Sequence, residues 1–205
     1  MNTREMDFTF QGLISAAIAT VRQPQQGAET VLAQRLPVPV LWTMLAAVVA
    51  VSVVLAEGSL LLITAGADLD NAYLANPLGM FAVQYALLAV MVLATDRIGR
   101  AMGGAGDFAG ALAVVTWLQF VMACLQVVQT VTLFIAPPIA DLLGIAGLVL
   151  FLWLFTNFVA VLHKFRSLGM VFVMIVLTTF GIALVLSLAL TMLGVTVPAG
   201  LEGGS

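Results

Sequence analysis

Glu57 interrupts the apolar run VVAVSVVLAEGSLLLI, Val48 to Ile63. A carboxylate there must either take a proton and donate a hydrogen bond, or keep its charge in a wet cavity, because an unpaired charge in an apolar medium is prohibitively costly. Four amides recur in equally apolar surroundings: Gln84, Gln119, Gln126 and Gln129. Gln119 and Gln126 stand two helical turns apart, and Gln129 continues their stripe. Two chemistries fit this set. As separate amides they bond helix to helix, at about 0.6–2 kcal/mol each. As a group with Glu57 they line a polar cavity for a ligand, a lipid head group or a proton.

The remaining reactive inventory is thin. His163 is the single histidine and sits beside Lys164 and Arg166. No nucleophile and base are spaced to work with it, so a capping role is expected rather than catalysis. Cys124 is the single cysteine, inside an apolar run, and forms no internal disulfide. One histidine and one cysteine exclude a zinc motif, and GxxxxGK[ST] is absent. Asp68 and Asp70 form a DxD, but calcium needs several more oxygen ligands, so a solvated loop is expected. No catalytic residue, metal site or cofactor is expected.

The elements that position these residues are membrane spans. The chain has 205 residues, 62% hydrophobic and only 8% charged, with mean hydropathy +1.16. Soluble domains carry roughly 25% charged residues. A net charge of -3 without a basic patch argues against nucleic acid. Five apolar segments are long enough to cross a ~30 Å hydrocarbon layer: Val38–Ile63, Pro77–Thr95, Ala109–Ile135, Leu142–Leu162 and Leu168–Leu193. The breaks are TAGADLDNAYLANP, DRIGRAMGGAGD, APPIAD with its helix-ending prolines, and the short charged HKFRS, which predicts a tight hairpin of the last two helices.

Residues 1–36 read as cytoplasmic amphipathic helices, 37–196 as a five-helix membrane domain, and 197–205 as a flexible tail of expression-linker composition. Phe10, Leu13, Ile14, Ala17, Ile18 and Val21 recur at helical spacing, with Gln11, Ser15, Thr20 and Arg22 opposite, as in a helix lying in the interface. A second short helix is expected from Gln25 to Leu36, before Pro37 and Pro39 turn the chain into the bilayer. No cleavable signal peptide is evident in MNTREMDFTF.

With five spans, Arg4, Arg22, Arg35, Arg97, Arg100, Lys164 and Arg166 all fall on one side, and Asp68, Asp70, Asp141 and Glu202 on the other. Basic residues flanking spans stay cytoplasmic, so the N-terminus is expected inside. Helix rise then puts Glu57 roughly 24 Å above the start of the first span and Gln126 roughly 25 Å above the start of the third. Gln84 lies about 9 Å below the outer surface, in the same layer, while Gln119 is near mid-membrane and Asn157 near the cytoplasmic end of the fourth span. Ala140/Gly144 and Gly106/Gly110 have small-xxx-small spacing, which lets helices approach.

The segment GGAGDFAGALAVVTWLQF, Gly103 to Phe120, resembles the Yip1-domain family, in which a Gly-rich cytoplasmic loop leads through a polar turn and an aromatic residue into the third span. VRQPQQGAETVLA, Val21 to Ala33, is similar as well: a proline follows an amphipathic helix, and a short helix precedes span one. The resemblance implies a non-enzymatic polytopic membrane protein acting in membrane organisation or trafficking-like processes through lipid or protein partners. The short N-terminus resembles the bacterial type, implying the bacterial cytoplasmic (inner) membrane and arguing against the GTPase contacts of eukaryotic relatives. Membrane lipids are the expected partners; a protein partner at the cytoplasmic face and a homo-oligomer are compatible with the chain. The alternative is a small transporter or lipid-handling protein using the polar cavity around Glu57. The expected fold is an all-α bundle of five transmembrane helices with an N-terminal interfacial helix.

Overall fold

A computed structural model describes residues 7–63 and 76–192. Arg4, Asp68, Asp70 and the tail lie outside the described residues. Within them every element is a helix: α1 Phe10–Arg22, α2 Pro24–Ala33, α3 Val38–Ile63, α4 Pro77–Ala101, α5 Phe108–Ile135, α6 Pro137–His163 and α7 Leu168–Met192. The last five are each long and apolar enough to cross a membrane. The chain is an integral membrane protein.

The helices start where local chemistry satisfies their free N–H groups. Thr9, Asn76 and Asp107 cap α1, α4 and α5, each side chain accepting from the N–H three residues on. Proline occupies the first turn of α2, α4 and α6, where its missing donor costs nothing. This corrects two expected boundaries. Pro137 and Pro138 open α6 instead of merely ending α5, so the helix begins five residues before Leu142. Helix α4 runs on past Thr95 through the charged Asp96–Arg100 to Ala101, because it leaves the apolar layer without losing its backbone bonds.

Helix α5 is the axis of the bundle. It packs on α1, α2, α3, α4 and α6. Of its apolar stretch, 56% is buried in the protein, against 11% for α4 and α7. The core between α3, α5 and α6 is built from Leu45, Val49, Leu112, Val115, Leu118 and Phe158. Small residues set the closest approach of α5 and α6, as their spacing predicts: Gly147 faces Leu125, Gly144 faces Gln129, and Gly110 faces Leu162. Helix α7 packs mainly on α6, with Val171 and Ile175 buried, and presents Phe172, Leu177, Phe180 and Leu184 outward.

Candidate functional site

Three polar constellations interrupt the apolar bundle. The first seats the N-terminal helices. Thr20 donates to the Ala16 carbonyl and accepts the Trp117 indole N–H at 3.1 Å. Gly27 of α2 lies against the Thr20 side chain so closely that any Cβ would overlap it. Gln25 donates to Asn157 of α6 at 3.2 Å, and Asn157 donates to the Trp153 carbonyl. Thr20 is therefore buried at the joint, not on the polar outer face to which helical spacing assigned it. Leu13 and Ala16 pack toward the bundle, while Phe10, at 81% exposure, and Ile18 and Val21 face outward. The helix thus shows one row to the protein and a second apolar row to its surroundings.

The second constellation ties together the end of α4, the turn before α5 and the end of α6 around His163, which is only 2% exposed. Helix α4 ends with Gly103 at φ 85°, its N–H bonding the Arg100 carbonyl and the Gly104 N–H the Gly99 carbonyl. That turn folds the chain back over the imidazole. A Cβ on Gly99, Gly104 or Gly106 would overlap the ring. The Gly106 N–H donates to Nδ1 at 3.2 Å, so Nε2 carries the proton and donates to the Thr95 carbonyl at 3.0 Å. The Ala105 N–H bonds the His163 carbonyl. Lys164 adopts φ 57°, and the return turn stacks Phe165 on the His163 ring, centroids 5.5 Å apart. His163 does cap backbone groups, as expected, but those of two other elements and from inside the protein.

Beside it, Asp96 is buried and bonds Arg100 one turn on, with Arg97 at 3.5 Å. Its Oδ1 has no hydrogen-bond partner among the described residues. Sequence reasoning missed Asp96 because it fell in a stretch taken for loop. Six of the seven basic residues (Arg22, Arg35, Arg97, Arg100, Lys164 and Arg166) lie at this end of the bundle, on the elements that meet here.

The third constellation is the glutamine stripe. Gln119 donates to the Ser52 hydroxyl at 3.3 Å, and Gln126 donates to the Ser52 carbonyl at 2.9 Å. Gln129 donates to the Ala140 carbonyl at 3.4 Å. All three line a cleft of about 350 Å³ between α5 and α6. Glu57 is half-buried on α3 and Gln84 half-buried on α4; neither lines that cleft. No hydrogen bond among the described residues joins Glu57 to any of the glutamines. The hub is Ser52, which sequence reasoning passed over. Its signal was available: counted by helix rise, it stands at nearly the depth of Gln119, about 15 Å above the start of its span.

Five apolar helices behind an amphipathic pair, joined by a glycine-rich turn ahead of α5, match a known domain. A family model for the Yip1 domain covers residues 18–194. The chain belongs to the Yip1 family. No curated protein and no solved structure matches it. The Yip1 domain here begins inside α1 and extends just beyond α7, so it encloses all three constellations. Thr20, Gly104 and Ser52 are all parts of that domain.

Proposed function

We propose that this Yip1 protein organises the membrane from its cytoplasmic leaflet, through lipids and through a protein partner at the same face, without catalysing a reaction. The outward apolar row of α1, on a hairpin fixed to the bundle at Thr20 and Gln25, carries this reading. A free amphipathic helix adapts to any surface. One held by buried bonds imposes its own position, so Phe10, Ile18 and Val21 enter one leaflet only and wedge it. Each such side chain contributes roughly 1.5–3 kcal/mol when fully buried. The basic residues at this end favour the anionic leaflet, and the setting we propose is a bacterial cytoplasmic membrane.

Reconstitution into anionic vesicles tests the wedge. The protein should narrow or tubulate them, seen by electron microscopy, and Phe10→Ser/Ile18→Ser should not. Vesicle sizes identical for wild type, double variant and bare lipid would sink the proposal. A second reading, a small transporter or lipid-handling protein, is favoured by the cleft that Gln119, Gln126 and Gln129 share, with its polar cavity centred on those glutamines and not on Glu57. It requires solute or lipid flux that Gln126→Leu abolishes.

A further inference from the structure

A second, larger cleft lies between the N-terminal hairpin and α3, floored by α5. Its volume is about 500 Å³, in the range of ligand sites. Its walls are apolar: Leu13 from α1, Val31 from α2, Leu41 and Met44 from α3, and Trp117 and Phe120 from α5. Its polar lining residues are Gln34 and Arg35, where α2 gives way to α3, Asp107 at the start of α5, and Thr116 farther along α5. The side chains there are not equally free. Asp107 caps α5 through the Gly110 N–H at 2.8 Å. Arg35 has no ion pair among the described residues; both of the ion pairs there belong to Asp96.

The position of Arg35 is also imposed. It adopts φ 46°, a left-handed conformation uncommon outside glycine and asparagine, at the elbow where α2 gives way to the span α3. The surrounding turn must over-determine such a residue for it to persist. The elbow lies at the level where the chain enters the membrane. From it the cleft runs along α3 to Val48 and along α5 to Phe120, about 15–20 Å by helix rise. That is close to the ~15 Å depth of one hydrocarbon leaflet. The wall also includes Thr116, whose hydroxyl is buried and has no hydrogen-bond partner among the described residues. The described side chains leave this slot unfilled, and its apolar walls suit a hydrocarbon chain.

We infer that this cleft binds one acyl chain of an anionic membrane phospholipid, whose phosphate sits on Arg35. A guanidinium suits phosphate through paired N–H donors, and the slot below it excludes the head group but accepts the chain. The site does not depend on the outward row of α1 and stands whether or not that row wedges the leaflet.

Trp117 lines the cleft and reports on it. In a Trp42→Phe/Trp153→Phe background it is the sole tryptophan. The protein is placed in nanodiscs, and brominated phosphatidylglycerol or brominated phosphatidylcholine is introduced at rising mole fraction. Trp117 quenching should saturate at a low fraction of the anionic lipid, with at least fivefold preference over the zwitterionic one. Arg35→Asn, which tolerates the left-handed backbone, should remove the preference, and Arg35→Lys should keep most of it. Ala113→Leu, which fills the slot, should abolish saturation with thermal unfolding still cooperative. Quenching that rises linearly and equally with both lipids would mean ordinary lipid contact and overturn the site. So would a preference unchanged in Arg35→Asn, or no quenching at all, which would leave the slot to another segment of this chain. Displacement by free inorganic phosphate would reassign Arg35 to a soluble anion and equally refute the lipid.

Discussion

Replacing Gly104 with alanine tests whether the His163 assembly holds the cytoplasmic end together. The new methyl group would overlap the imidazole, which is pinned on its other sides by Gly99, Gly106 and Phe165 and cannot retreat. Overpacking of this kind costs about 1–3 kcal/mol. Moving the ring also strips the Gly106 N–H of its acceptor, and a buried donor left unpaired costs about 1–3 kcal/mol more. Alanine returns about 0.4–1 kcal/mol by restricting the unfolded chain. The net loss is on the order of 1–5.6 kcal/mol, which for a chain of this size lowers Tm by about 2–22 °C. Thermal unfolding in detergent, followed by tryptophan fluorescence, measures it. Gly169→Ala is the control, since nothing lies within 4 Å of its added carbon; it should match or exceed wild type. Combining Gly104→Ala with His163→Ala should cost less than the two single losses added, because removing the ring removes the overlap. A Gly104→Ala protein melting within about 2 °C of the control, or strict additivity with His163→Ala, would refute the reasoning.

Two further outcomes check the topology and the intramembrane acid. In a Cys124→Ser background, cysteines at Met102 and Asp141 should be labelled from opposite sides of intact cells; labelling from one side would end the five-span arrangement. Glu57→Gln should leave Tm within about 2 °C if the side chain acts as a neutral hydrogen-bonding group, whereas lost flux at unchanged Tm would assign it a functional charge and favour the transporter reading.

The spans were legible because an apolar run long enough for the bilayer has no other stable use. The closeness of α5 and α6 followed from an equally local pattern, small residues four apart at Ala140/Gly144, whereas capping by Asp107 was not foreseen because it fell in a stretch taken for loop. What escaped was long-range or lay at a change of environment. His163 meets Gly106 and Thr95 across 57 and 68 positions of chain, a pairing that no local periodicity encodes. Thr20 reads as polar and hence outward, yet its hydroxyl is the acceptor that lets Trp117 be buried. Charged Asp96–Arg100 reads as loop because hydropathy reports the surrounding medium, while the backbone simply continues its helix out of that medium. For the proposed cavity, the stripe on α5 was visible as three glutamines spaced seven and three apart; its partner Ser52 was legible only by its depth along the helix, because one serine in an apolar span carries little signal by type.

The packing of α7 mainly on α6 has a consequence for how the chain is made. Every residue that closes around His163, from Thr95 to Phe165, is synthesised before Leu168. The inner four spans can therefore complete their polar joints while the last helix is still emerging. When α7 arrives it meets a finished surface and adds an apolar strip. Its Thr179 and Thr191 bond carbonyls of α7 itself, and no side-chain hydrogen bond among the described residues ties it to another helix. Its share of the bundle is apolar packing, so trimming Val171 or Ile175 should loosen α7 while leaving the His163 joint intact.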